Sequence, residues 1–302
     1  MKKYWIACLT IVMVHVPGMI FAQANQVPFF DSKGMIRIQT TEMDAMADTI
    51  AVVNHRADDV VWSRVVYRVI DMREKQNYQL YFPLRPNDEY KSLFRVMLEA
   101  IGNGVSVYKR NSREIKPSFA DSLKLEGAEL SKTFAYNENP DYNLLQVNPV
   151  TQQIAIENTQ YRNYVKNQIK FLIQEIVLFD KHTSRMYSKI MAIAPLYALQ
   201  PDNQEAKESM AYFRNSVLCW FAFDELRPYL AKQYVIPNGN ETQRLTYDDF
   251  FAQKLYSSYL LGDSNMFNRM LLEYTIDPLK IKKEQNRIET ELLNTEQDIW
   301  EY

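Results

Sequence analysis

The chain has 302 residues and a net charge of −2, and 47% of its residues are hydrophobic, which is enough for one large core or two small ones. This charge balance, without any basic run, argues against a nucleic-acid partner. The glycines form no phosphate-binding loop and the cysteines and histidines form no zinc motif, so we expect no cofactor and no metal.

The first 22 residues have the pattern of a secretory signal peptide. Lys2 and Lys3 form a positive start, an apolar run extends from Tyr4 to Val16, and small residues precede a cleavage site after Ala22, with a site after Ala24 as the alternative. The apolar run is shorter than the roughly 20 residues that span a bilayer, which argues against the alternative of a membrane anchor. We therefore expect an exported protein that is not integral to a membrane.

Residues 23–57 are polar with short apolar patches, and they are predicted to form an arm or linker before a globular domain at 58–276. The domain is predicted to open with a helix, because apolar residues recur at four-residue spacing: Val61, Val65 and Val69, with Trp62, Val66 and Ile70 beside them. Arg64 and Arg68 would lie on the opposite side of this helix. These two arginines are candidate partner-binding residues.

Further elements follow in chain order. An extended segment is predicted at 79–83, a helix at about 88–101 that ends at Gly102, and a strand at 105–108. Residues 111–163 are predicted to hold loops and short helices. Strands at 169–179 and 185–194 flank a turn and form a predicted hairpin; a strand at 217–223, a short helix from Asp224 and a turn at Asn238-Gly239 follow. The fold class is α+β, with an antiparallel sheet and packed helices.

Catalytic alternatives have weaker support than structural ones. A Ser/His/Asp site would need His55 or His182, and His182 lies in a polar turn where a histidine is usually only solvated. Asp248 and Asp249 could be an acid/base pair, but adjacent helical residues point about 100° apart. Asp249 instead stands three residues after Thr246, which predicts a helix cap.

The tail, residues 277–302, is predicted to be a helix with Asp277 as its N-cap. Ile281, Ile288, Leu292 and Ile299 mark a narrow apolar stripe, and the first three are the other candidate partner-binding residues. Lysines crowd the positive end of this helix and acids crowd its negative end, so the isolated helix should be marginal. We expect it to dock on the body of the protein or on a neighbouring subunit; the alternative is a frayed, dispensable terminus.

Several ordered blocks of the chain resemble the gliding-motility protein N family (GldN/PorN). The first block leads from Trp62 through Arg73-Glu74-Lys75 to Phe82-Pro83, and the last combines Asp248-Asp249 with aromatics and two arginines. The full set of blocks is Asp59–Pro83, Ser92–Phe94, Phe179–Ser184, Cys219–Leu230 and Arg244–Tyr274. Residues 111–163 match this family less clearly, and residues 24–57 hardly match it at all.

The resemblance implies a non-enzymatic periplasmic subunit of the type IX secretion system. Such a subunit would self-associate and form a ring together with a GldK/PorK-like outer-membrane lipoprotein. GldL- and GldM-like motor proteins would reach towards this ring. Two alternatives stay open: an exported carboxylate-dependent hydrolase and a periplasmic solute-binding module. A solute binder of this size usually shows repeated βαβ units, whereas strands are predicted to neighbour strands here.

Overall fold

The computed structural model describes residues 49–86, 90–111, 114–134, 144–148, 151, 153–156, 168–197, 209–237, 244–266 and 269–300. They all belong to one of the two units into which the chain divides, Met46–Tyr302. The predicted signal peptide, most of the predicted arm and the predicted turn at Asn238-Gly239 lie outside the described residues.

An antiparallel sheet of six strands forms the centre of the described part, in the order β2-β7-β6-β5-β1-β8. Its strands are β1 (Val60–Asp71), β2 (Val107–Lys109), β5 (Gln168–Asp180), β6 (Arg185–Tyr197), β7 (Cys219–Ala222) and β8 (Tyr259–Asp263). A separate two-stranded sheet pairs β3 (Leu145–Val147) with β4 (Ile154–Ile156). The long hairpin β5–β6 and strand β1 therefore form the middle of the main sheet.

Eight α-helices surround the strands in the described residues. They are α1 (Tyr78–Tyr81), α2 (Leu93–Gly102), α3 (Gly127–Thr133), α4 (Met210–Ser216), α5 (Phe223–Leu230), α6 (Tyr247–Ala252), α7 (Leu271–Tyr274) and α8 (Pro278–Trp300). Short 3-10 helices occupy Ala57–Asp59, Lys75–Asn77 and Asp121–Leu123. The α+β class with an antiparallel sheet and a C-terminal helix is confirmed.

Both faces of the central strands are buried, because successive side chains of a strand point to opposite faces. Ile70 and Phe171 face one core, which is covered by helices α2, α5 and α6. Tyr67 and Leu172 face a second core, to which α4 contributes Phe213. The sheet therefore forms the middle layer between two sets of elements.

The helix predicted around Trp62 is wrong, since Val60–Asp71 is the strand β1. The recurrence of Val61, Val65 and Val69 matches a helical face, but also a strand whose faces are both apolar. Branched side chains such as valine favour a pleated strand, and the pairing with β5 and β8 decides the conformation. As a result, Arg64 and Arg68 share the face of Val66 rather than an outer helical side.

Other predictions have mixed outcomes. The hairpin is confirmed as β5 and β6, the strand near 217–223 as β7, and the helix that ends at Gly102 as α2. The cap of α6 is confirmed: Asp249 N donates to Thr246 Oγ1 at 3.1 Å, and Thr246 N donates to Asp249 Oδ2 at 3.1 Å. The extended segment predicted at 79–83 is wrong for its first part, because Tyr78–Tyr81 is helical.

Candidate partner-binding site

Helix α8 docks on the body of the protein. Asp277 begins it as predicted, since its carboxylate oxygen Oδ1 accepts a hydrogen bond from Leu279 N at 3.0 Å. Ile288 is 1% exposed and packs with Val66, Leu260 and Leu271 in a third cluster, against which Leu292 also rests. This docking buries part of the apolar stripe that was predicted for the tail.

Arg64 and Arg68 lie directly beneath α8. The guanidinium of Arg64 is paired with Asp263, and its Nη1 lies 3.4 Å from Glu291 Oε1. In the same way, Arg68 Nε lies 3.3 Å from Glu175 Oε2, and its Nη1 lies 3.5 Å from Glu289 Oε1. Each arginine therefore joins a buried acid of the sheet to an acid of the last helix.

Glu175 is the most deeply buried acid of this arrangement, with 1% of its side chain exposed. Burial alone would raise the pKa of the Glu175 carboxyl, but Lys254, the hydroxyl of Ser188 and Arg68 together outweigh burial and hold the pKa below its ordinary value. Ser188 donates its hydroxyl to Glu175, and the Lys254 ammonium is paired with the same carboxylate. The buried charge is thus compensated from three sides.

Four of the five residues predicted to bind a partner, Arg64, Arg68, Ile288 and Leu292, therefore meet in one interface within the chain. Arg64 and Arg68 are 16% and 22% exposed at their side chains, whereas Ile288 is buried and Ile281 and Leu292 are half-buried. Sequence patterns singled out both groups but could not show that they face each other. Their use by a partner stays a prediction.

A segment without regular secondary structure, residues 50–55 (the strap), is bonded to the body at its two ends. Ile50 N donates to Asp248 Oδ2 at 2.8 Å, while Arg227 bonds both to the carbonyl of Ile50 and, through Nε at 2.8 Å, to Asp248 Oδ1. At the other end, His55 Nδ1 lies 2.7 Å from Asp180 Oδ2. The hydrogen bond from His55 lowers the pKa of the Asp180 carboxyl. No sequence signal marks this pairing, because its partners are 125 positions apart.

A cavity of about 260 Å³ lies between the strap, strand β6 and helices α5 and α6. Val52 and Val53 line it from the strap, Tyr187 and Ile190 from β6, and Phe223 from α5. The charged residues that also line it are paired: Arg227 with Asp248, Lys189 with Asp224 and Lys254 with Glu175. The cavity is therefore an apolar space whose rim charges are neutralised.

The structure gives little support to the catalytic sites that were considered from the sequence. The His55–Asp180 pair has the form of a base and its orienting acid, but Ser188 donates to Glu175. His182 is exposed in the hairpin turn, where its backbone N–H donates to Asp180. Cys219 is buried, and burial raises the pKa of its thiol, which keeps the thiol protonated. Among the residues that the structure describes, no cluster of three potential ligands could hold a metal ion.

A second feature is a run of exposed apolar side chains between α7 and α8, which the sequence analysis did not single out. Tyr274 is 45% exposed, Ile276 57% and Leu279 82%. Neighbouring exposed apolar residues of this kind are typical of surfaces that contact another protein. This run (the 274–279 patch) extends from the last residue of α7 to the first turn of α8 and stays exposed.

Comparison of the sequence with known protein families shows which family the chain belongs to. A family described as "Gliding motility associated protein GldN" matches residues 55–301. The chain belongs to the GldN family. A comparison with curated proteins found no match. The match begins at the end of the strap and extends through helix α8, so the main sheet and the docked tail lie within the GldN region, whereas residues 50–53 of the strap, which line the cavity, precede it. In the described part of this GldN chain, no helix has both the length and the apolar character to cross a membrane.

Proposed function

We propose that this GldN protein is a non-enzymatic periplasmic subunit of the type IX secretion system. It would self-associate in a ring and be held at the outer membrane by a GldK/PorK-like lipoprotein, with GldL- and GldM-like motor proteins reaching the ring. The observation that carries the proposal is the family match over residues 55–301. The signal-peptide pattern of residues 1–22 supports export of the chain.

The ionisable groups also support an assembly role, because their geometry is that of structural pairs. Arg227 and Asp248 anchor the strap, whereas Arg64 and Arg68 pair with acids of helix α8. The 274–279 patch offers apolar area of the kind that protein interfaces bury. We assign contact with the lipoprotein to this patch.

Deletion of the gene in its own host tests the secretion role. We expect many unrelated cargo proteins to disappear together from the culture medium, and a plasmid copy of the gene to restore all of them. Loss of one metabolic activity with normal secretion would favour the carboxylate-dependent hydrolase. Loss of uptake of one solute would favour the solute-binding module.

Co-purification with the lipoprotein tests the surface. Ile276→Asp and Leu279→Asp should each reduce the recovered lipoprotein at least tenfold, because a charge in a buried apolar contact is left without a partner. Asn294→Asp, an exposed change on α8, is the matched control and should have no effect. Thermal unfolding should be unchanged in all three variants. Recovery of the lipoprotein at the level of the unmodified protein would exclude the 274–279 patch.

A further inference from the structure

Strand β6 has an outer edge that is only partly paired. It pairs with β5 along its length, but with β7 only at Ala192 and Ile193. An irregularity in the register with β5 leaves Met191 without an opposite residue, and bulges of this kind are typical of places where pairing ends. In the described part of the chain, the outer edge from Arg185 to Met191 has no neighbouring strand.

An unpaired strand edge presents backbone N–H and C=O groups at alternate residues, and these can bind another extended chain. The strap faces the same space, because it shares the cavity with Tyr187, Ser188, Lys189 and Ile190. Within the described residues, the backbone hydrogen bonds of the strap are limited to its anchored end at Ile50. The strap and β6 therefore line the same cavity without joining into one sheet.

The walls of the cavity also define what could fill it. Ile50, Val52 and Val53 are 39%, 39% and 52% exposed, so the strap has apolar surface available. The charged residues of the lining are paired, as described above: Arg227 with Asp248, Lys189 with Asp224, and Lys254 with Glu175 outside the lining. At about 260 Å³ the cavity is below the roughly 300–1,000 Å³ of typical small-molecule sites. Its size suits an apolar side chain carried on a strand.

We propose that the outer edge of β6 binds an extended segment of a partner protein by strand addition. The segment would run antiparallel to β6, as both neighbours of β6 do, and form backbone hydrogen bonds with residues 185–191. Its alternate side chains would be apolar and uncharged, and one of them would enter the cavity beneath the strap. This interaction goes beyond the proposed secretion role, since it depends only on the edge and the cavity.

The probe is a labelled peptide, acetyl-Thr-Val-Thr-Val-Thr-Val-Thr-amide, added to the purified chain. Hydrogen exchange at the outward-facing amides of residues 185–191 should slow at least tenfold when the peptide is in excess, because these alternate amides do not bond to β5 and become paired with the peptide. A peptide in which the central valine is proline should give no protection, since proline lacks the N–H and breaks the ladder. Protection by both peptides alike would overturn strand addition.

A variant that fills the cavity tests whether the bound peptide places a side chain there. Ala252 is exposed at the end of α6 and lines the cavity, so Ala252→Trp should fill the cavity without disturbing the core. We expect at least a tenfold weaker Kd for the peptide by fluorescence anisotropy. Thr290→Trp, on the exposed side of α8, is the matched control and should bind the peptide normally. Equal affinity in both variants, or no binding by the unmodified chain, would overturn the proposal.

Size-exclusion chromatography with light scattering distinguishes a partner protein from a second copy. The unmodified chain and Ala252→Trp should show the same oligomeric state when no peptide is present. Self-association that Ala252→Trp abolishes would overturn the assignment to a different protein and show that a second copy fills the edge. A secretion defect in the deletion strain does not bear on either result, so the two proposals fail separately.

Discussion

Arg64 Nη1 on strand β1 lies 3.4 Å from Glu291 Oε1 on helix α8, which joins the first strand of the sheet to the last helix by charge. Arg68 and Glu289 make the equivalent contact at 3.5 Å. The two helix acids are about half exposed, so each outer pair adds little stability. The inner acids, Asp263 and Glu175, are buried, and there the loss of an arginine leaves a charge without full compensation.

The inner and outer halves of this arrangement should therefore respond differently to mutation. Arg68→Ala should lower the free energy of unfolding by about 2–4 kcal/mol, because Glu175 would keep only Lys254 and Ser188. Glu289→Ala should lower it by less than about 1 kcal/mol. Urea denaturation of both variants measures the difference. Equal losses would contradict the distinction between buried and exposed partners.

Docking of α8 should depend on Ile288. Ile288→Ala removes a buried side chain from the cluster with Val66 and Leu260, and should cost about 2–4 kcal/mol in the free energy of unfolding. Leu293→Ala is the matched control: this residue is 59% exposed on the same helix, and its loss should change stability by less than about 0.5 kcal/mol. Chemical denaturation checks both values. A frayed, dispensable tail would give no loss for either variant.

Hydrogen exchange on the purified protein alone should be slow across Gln285 to Leu292. Gln285 Nε2 donates to the carbonyl of Leu260 at 2.6 Å, which adds a polar contact to the apolar docking. In Arg64→Glu the new carboxylate would face Asp263 and Glu291, so exchange in this segment should accelerate and the Tm should fall. Lys282→Glu, an exposed charge reversal near the start of the same helix, should leave exchange across the segment almost unchanged. Fast exchange in the unmodified protein would show that α8 does not dock without a partner.

The pH dependence of stability should reflect Glu175. Its pKa is lower in the folded protein than its ordinary value near 4.3, so its contribution is fully present above that value and is lost as pH falls through the lower, folded pKa. The stability difference between the unmodified protein and Glu175→Gln should thus be largest near neutral pH and shrink below about pH 4. Urea denaturation of both proteins at pH 7, 5, 4 and 3 measures it. A constant difference would contradict the assignment.

Local signals in the sequence predicted the elements whose determinants are close in the chain. Thr246 and Asp249 form the cap of α6 within one helical turn, and Asp277 begins α8 in the same way. The long strands β5 and β6 are joined by a short turn, so their pairing was also predicted from neighbouring residues. These features were correct because little outside the segment is needed to determine them.

Strand β1 was missed because its conformation depends on distant partners. A strand with one solvated face alternates polar and apolar residues, but both faces of β1 are covered along much of its length. Arg64 and Arg68 look like solvent-facing residues until their acids on α8 are known, more than 200 positions later. The cavity and the His55–Asp180 pair were missed for the same reason.

The order of the strands affects how the chain can fold as it is synthesised. Val65 N donates to the hydroxyl of Ser264, 199 positions later, and β1 lies between β5 and β8 in the sheet. Strand β1 is synthesised early but cannot pair with β8 until the last strand has been made. Such non-local pairing slows folding. A truncated product that ends before Tyr259 would expose the full length of one edge of β1. Such a product should aggregate or be degraded rather than act as a shorter subunit.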